Sequence, residues 1–232
     1  MREIIFDTET TGFDPQTGDR MVEIGCIEMI DRIETGQTFH CYYNPERPMP
    51  KAAENVHGLS DIFLSDKKLF AAGAEELLDF LGDAKLVAHN AQFDFNFLNA
   101  ELTLCGYQPI SRFRMIDTLA IAKSKHPGAK LSLDALCSRY GIDRSHRVKH
   151  GALLDAELLT QLYIELTGGR QIGLGLADDS ARVSDTIVRQ STSMRAERKT
   201  FIAPREHHAS AEELARHKNF MEGIENPLWT EA

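Results

Sequence analysis

Arg2-Glu3-Ile4-Ile5-Phe6-Asp7-Thr8-Glu9-Thr10-Thr11-Gly12 begins as a buried strand and ends in acids. Ile4, Ile5 and Phe6 run together without polar interruption, so Arg2–Thr8 is predicted as a strand covered on both sides. Asp7 and Glu9 stand two apart at its end, and period-two geometry points both carboxylates to one face. Two carboxylates on one face can ligate one cation or bridge a pair. The same pattern also suits a solvent-exposed strand end.

Outward from this strand, Met21–Ile30 alternates Val22, Ile24 and Cys26 against Glu23 and Gly25. It reads as a second strand. Gln37–Tyr43 reads as a third, and Gly12–Gly18 and Asp31–Gly36 supply the turns. The three form an antiparallel meander. Helical spacing follows over Lys67–Leu81, then a short strand over Lys85–His89 and helices over Phe93–Cys105, Asp117–Lys123 and Ser132–Tyr140. Ser132 suits the N-cap of the last of these. Gly151–Leu166 is an amphipathic helix closed by Gly168-Gly169.

The chain changes character at Gly168. Arg170–Asp185 lacks periodicity and reads as a linker. Beyond it, Ser210-Ala211-Glu212-Glu213 fits a capping box, Leu214, His217 and Met221 share a face, and Gly223 stops the helix. The expected organisation is an α/β domain over residues 1–169, a linker over 170–185 and a C-terminal segment over 186–232.

Of the 232 residues, 42% are hydrophobic, enough for a sizeable core, and the net charge is −9. That charge speaks against gripping nucleic acid through a broad basic surface. It is compatible with acids that hold metal. The four cysteines are scattered, so reduced thiols and a cytoplasmic setting are expected. Charge follows Met1 too soon for a secretory leader, and no apolar run reaches membrane-spanning length.

Two further segments carry acids. In His89-Asn90-Ala91-Gln92-Phe93-Asp94, Asp94 opens a helix, where the helix dipole alone would favour it. In His150-Gly151-Ala152-Leu153-Leu154-Asp155, Asp155 falls in the first turn of the long helix, beside an apolar face of Leu154, Leu158, Leu159 and Leu162. His150 precedes that helix, where it could equally be a capping or surface histidine. Four gathered carboxylates repel one another unless cations sit between them. Oxygen ligands suit Mg²⁺ or Mn²⁺. A histidine titrating near neutrality can take a proton from water beside such a site.

In order and local sequence, these segments resemble the DEDD superfamily of 3′→5′ exonucleases in its histidine-bearing branch. Asp7 and Glu9 match the first motif, Asp94 the second, and His150 with Asp155 the third. The likeness extends through Val56-His57-Gly58-Leu59 and Leu131-Ser132-Leu133-Asp134-Ala135-Leu136-Cys137. In this detail it is similar to the proofreading subunits of bacterial DNA polymerase III, closely over residues 2–169 and in layout only thereafter. The resemblance implies a ribonuclease-H-like α/β fold, a mixed central sheet flanked by helices, with a flexible, partly helical tail. It implies two divalent cations, Mg²⁺ or Mn²⁺. One, held by Asp7 and Asp155, would position water that His150 deprotonates. The other, shared by Asp7, Glu9 and Asp94, would steady the leaving 3′ oxygen. The product would be nucleoside 5′-monophosphates from single-stranded 3′ DNA ends.

By the same resemblance, Thr10, Thr11 and Gly12 would line the terminal nucleotide, Glu54 and His57 would touch its sugar, and Asn90 and Phe93 would wall the pocket. Simple core packing accounts for Phe93 equally well. Asp117 and Asp134 read as helix-start residues without chemistry. Gln171-Ile172-Gly173-Leu174-Gly175-Leu176 resembles a sliding-clamp peptide, with Gln171, Leu174 and Leu176 as its contacts, or it is an ordinary linker. The segment 186–232, with the only Trp, would bind the polymerase catalytic (alpha) subunit or pack back on its own domain. A small accessory subunit is a further possible partner. Two other functions remain open at this stage: trimming of RNA ends, and a mainly structural bridge between polymerase and clamp.

Overall fold

A computed structural model describes residues 1–145, 149–169 and 209–223. These fall into two separate units, one within Met1–Ala177 and one within Asp178–Ala232. The clamp-like peptide 171–176, the linker over 170–185 and most of the 186–232 segment, Trp229 included, lie outside the described residues.

The first unit is a five-stranded mixed sheet: β1 (Arg2–Thr10), β2 (Met21–Ile30), β3 (Ile33–Tyr42), β4 (Lys85–Ala88) and β5 (Met115–Asp117), in the order β3-β2-β1-β4-β5. The meander is antiparallel, and β4 and β5 run parallel to β1. Parallel neighbours need crossovers, which helices supply. α1 (Lys51–His57), α2 (Asp61–Leu64) and α3 (Phe70–Leu81) separate β3 from β4. α4 (Ala91–Leu104) joins β4 to β5, and α5 (Thr118–Lys125), α6 (Leu133–Tyr140) and α7 (Ala152–Leu166) follow.

Alternation along β1 divides the core. Ile4 and Phe6 pack with α3 and α4 in one cluster, while Ile5 joins Val87, Ala122, Leu159 and Leu162 in the other. Ile4, Ile5 and Phe6 are wholly buried, as a central strand between two helical layers requires. The acids at the end of β1 inherit this alternation.

The structure corrects several boundaries. β1 continues to Thr10, past the expected Thr8. β3 begins at Ile33, four residues before the expected Gln37, because the hairpin turn consists of Asp31 and Arg32 alone. Both have positive φ (51° and 67°), the geometry that a two-residue hairpin needs. Neither is glycine, so the turn signal fell on Gly36. That glycine (φ 81°) instead lies in β3 where the pairing register shifts. α3 starts at Phe70, after Lys67 and Lys68. Met115–Asp117 is a strand, so the next helix starts at Thr118 with Asp117 as its cap. α1 and α2 are too short to show a helical period in the sequence.

In the second unit, α8 (Ala211–Glu222) carries the expected capping box between Ser210 and Glu213 and ends at Gly223. None of its residues is buried. Among the described residues, no helix is long and apolar enough to cross a membrane.

Candidate active site

The C-terminal end of β1 is the origin of the site. Asp7 and Glu9 share the face toward α7, and Thr8 turns the other way and donates its hydroxyl to Asp94 Oδ1 at 2.7 Å. Asp94 sits in the first turn of α4 and is buried. α7 closes the site from the other side. Its first turn lies directly on Gly25, the β2 partner of Asp7, and a Cβ there would meet the Leu153 backbone nitrogen at 2.3 Å. Close backbone approach is the reason that glycine stands there. It lets α7 carry Asp155 down to the strand end.

Asp155 is almost wholly enclosed, while His150 leaves 44% of its side chain exposed. His150 Nδ1 lies 3.0 Å from Asp155 Oδ2. Ligand atoms of Glu9, His150 and Asp155 all lie within 4.8 Å of one another. The His150 backbone N–H donates to Val56 O at 3.3 Å, tying this loop to α1.

The electrostatics follow from crowding acids together away from water. Burial, then Asp94, Glu9, Asp155 and Glu23, hold the Asp7 carboxyl well above the usual range. Burial pushes Asp94 up to about 7 from an ordinary 3.8, against the opposing bond from Thr8. Such acids ionise together only when a positive charge joins them. The donors are carboxylate oxygens with one imidazole at the edge, a set that fits a hard divalent cation. Among the described residues, Glu9, His150 and Asp155 bring ligand atoms close enough to share one ion, and Asp7 and Asp94 are crowded beside them.

A groove of about 690 Å³ adjoins the acids. Thr10, Thr11, Gly12, His57 and Phe93 line it, as does Glu9. Glu54 and Asn90 are outside its lining. Glu54 faces Lys51 at 3.0 Å on the surface of α1, and Asn90 is an exposed left-handed residue (φ 64°) heading α4. Phe93 is partly exposed and stacks near Phe97, with ring centroids 5.0 Å apart. His57 is buried, and its Nδ1 accepts the Leu59 N–H at 3.0 Å. Its Nε2 is enclosed and faces the Thr10 backbone. Burial lowers its pKa, so it stays neutral and keeps an Nε2–H to donate.

Two residues of this region escaped the sequence reading. Glu23 stands opposite Glu9 across the β1–β2 pair, is buried, and meets His40 Nε2 at 2.7 Å. Alternation placed it on a face without saying what it opposed, since only the register supplies that. Phe13 is 89% exposed at the groove lip. Its position directly after Thr10-Thr11-Gly12 was the available signal. Asp117 and Asp134 have structural work. Asp117 accepts from Leu119 N and Asn90 N, and Asp134 pairs with Arg144 at 2.7 Å.

A protein-family model described as exonuclease, of the RNase T type, matches residues 4–163. The DNA polymerase III subunit epsilon of Rickettsia felis is 47% identical over 227 residues, covering 97% of each chain. That of Salmonella typhimurium is 39% identical over 232 residues, covering 97% of this chain and 93% of the other. That of Escherichia coli is 44% identical over 176 residues, 73% of this chain and 72% of the other. Among solved structures, exonuclease X in complex with 5′ overhanging duplex DNA aligns with a TM-score of 0.56 at 24% identity, over 71% of this chain and 90% of that one. The E. coli exonuclease I complex with single-stranded DNA aligns at 0.63 and 18% identity, over 73% and 41%. At these identities the structural matches establish the ribonuclease-H-like exonuclease fold.

Proposed function

Since the chain belongs to the exonuclease family and, within it, to the DNA polymerase III epsilon subunits, we propose that it is the proofreading 3′→5′ DNA exonuclease of a replicative polymerase, with Asp7, Glu9, Asp94, His150 and Asp155 as its catalytic set. The observation that carries the assignment of residues is the meeting of these side chains beside a groove wide enough for a nucleotide.

Exonucleases of this family depend on metal. Two Mg²⁺ or Mn²⁺ ions held by Asp7, Glu9, Asp94 and Asp155 would neutralise the phosphate oxygens and the leaving group. The protein's own share is positioning and proton transfer. Asp155 holds His150 Nδ1, which leaves Nε2 to accept the proton of the attacking water. The water oxygen bonds to phosphorus as the phosphorus–O3′ bond breaks. The 3′ oxygen takes a proton from solvent, and a nucleoside 5′-monophosphate leaves. His57, in the groove lining, lies beside the terminal sugar. Thr10, Thr11 and Gly12 line the same nucleotide. Exposed Phe13 and half-buried Phe93 supply faces on which the terminal base stacks.

Relatives named as polymerase III subunits align over 97% of this chain, most of the tail included, which supports a polymerase-facing role for residues 186–232. In this reading the alpha subunit binds there, and Gln171, Leu174 and Leu176 engage the sliding clamp. The exposed, capped α8 suits a helix that buries its Leu214 and Phe220 against a partner.

Digestion of 5′-labelled DNA and RNA oligonucleotides with Mg²⁺, Mn²⁺ or EDTA tests this. A metal-dependent ladder shortening from the 3′ end of DNA, faster at a mispaired terminus, is the expected result. Rapid trimming of RNA with weak action on DNA would overturn the proofreading role. No cleavage with either metal would overturn the catalytic assignment.

A further inference from the structure

We propose that Lys149 grips the scissile phosphate from the loop before α7, bringing positive charge to a strand end where the described side chains are mainly acids. The inference rests on the nuclease reading above and adds a substrate-binding residue to it.

Lys149 occupies a defined position. Its side chain lies flat over Gly58, where a Cβ would stand 2.7 Å from Lys149 Cδ and 2.8 Å from its Nζ. Gly58 has a φ of 81°, caps α1 and directly follows His57. The neighbouring backbone bond from His150 N to Val56 O fixes the same junction. The ammonium thus lies against Gly58, the residue after His57, while Lys149 itself directly precedes His150. On one side, His57 lines the groove for the terminal nucleoside. On the other, His150 and Lys149 line a second cavity of about 880 Å³. In the mechanism proposed here, the phosphate under attack must lie where nucleoside groove and catalytic histidine meet.

Charge gives the same answer. The substrate is a polyanion, the chain carries −9, and five acids surround the strand end once Glu23 is included. Lys149 forms no ion pair among the described residues, whereas nearby Arg144 is committed to Asp134. Lys149 lies close enough to His57 to be the smallest of the influences on its pKa, a lowering one behind burial, Glu23, the Thr10 backbone and Glu54. A lysine that only stapled α1 to the loop would meet the first part of this description and leave substrate handling untouched.

The test compares wild type, Lys149→Met and Lys149→Arg on a 5′-labelled single strand and on the p-nitrophenyl ester of thymidine 5′-phosphate, whose only phosphate is the one attacked. Lys149→Met should lower kcat/KM about 10–100-fold on both substrates, the share of one charged hydrogen bond. On the strand, it should also flatten the slope of log kcat/KM against log salt by about 0.7. Lys149→Arg should restore most of the loss, and thermal unfolding should not move. Full activity of Lys149→Met on the ester would overturn the contact, even if the strand is cleaved more slowly. An unchanged salt slope would overturn it equally. If wild type cleaves neither substrate, the nuclease reading itself has failed, a result separable from both.

Discussion

Two buried acidic centres lie within the first unit, and they solve the same problem in opposite ways. Glu101 on α4 is nearly inaccessible, and Arg20 meets both its oxygens at 2.8 Å while the Met21 N–H adds a bond at 3.1 Å. That carboxylate brings its own counter-charge. At the end of β1, acids face acids: Asp7 is pushed up by burial and by Asp94, Glu9, Asp155 and Glu23. An isolated ionised carboxylate in a protein interior costs several kcal/mol. The first centre meets that cost within the chain, and the second leaves it to whatever binds. A buried acid paired with arginine is therefore structural here, and acids crowded against each other mark the proposed site of chemistry.

The comparison breaks most decisively at Asp7. Asp7→Ala should remove measurable cleavage while the metal-free protein keeps its fold and melts no lower than wild type, since a repelled charge is gone. Gel ladders and thermal unfolding in EDTA measure both. Residual cleavage, or a collapsed fold, would place Asp7 with the structural acids. His150→Ala ranks next, with a loss of about 10²–10⁴-fold in kcat, the range of a positioned base. A twofold change would remove it from proton transfer.

How much of this was legible in the sequence depends on the kind of signal each residue leaves. Strand period put Asp7 and Glu9 on a common face, whereas Asp94 and Asp155 read singly as ordinary helix-start acids and joined the site through the resemblance to the exonuclease motifs. The closeness of His150 to Asp155, five residues apart, was readable as a local contact; the meeting of Asp155 with the end of β1 was not, because it depends on α7 settling against Gly25, a contact between residues 127 or more apart in the chain. Glu23 was visible as a strand residue yet silent as a neighbour of Glu9, since pairing register is a tertiary fact. Asp31-Arg32 hid the hairpin because both residues take a conformation usually left to glycine or asparagine. β5 is three residues long, too brief for any period. By contrast, α8 was fully legible, since capping boxes are local and need no partner.

The structural centre should respond in the opposite sense to the proposed catalytic one. Glu101→Gln leaves the Arg20 guanidinium facing a neutral amide in a largely buried setting. Removing one partner of such a pair costs about 3 kcal/mol, with Arg20 still partly exposed to water. Urea unfolding in EDTA should show that loss, and metal dependence of cleavage in the surviving folded protein should match wild type. Unchanged stability in Glu101→Gln would mean that the two acidic centres differ less than their partners suggest.

The smallest effect is a slope, and it separates the centres most finely. In metal-free protein the folded state holds the Asp94 proton up to about pH 7, whereas an unfolded aspartate releases it near 3.8. Between those values the folded state binds more protons than the unfolded one, so stability falls as pH rises. The contribution is fully present below about pH 4 and is lost as pH climbs through 7. Asp7 shifts in the same direction and adds to the slope. This is the reverse of a salt-bridged aspartate, which gains stability with pH. Divalent cation should flatten the slope, because it takes the place of the proton between the acids. Asp94→Asn should flatten it without metal, and should be more stable than wild type at pH 8 in EDTA. Urea midpoints at pH 5, 6, 7 and 8 measure all three. Parallel curves for wild type and Asp94→Asn would show that Asp94 ionises as an ordinary acid, and that the crowding at the end of β1 is relieved within the protein, as it is at Glu101.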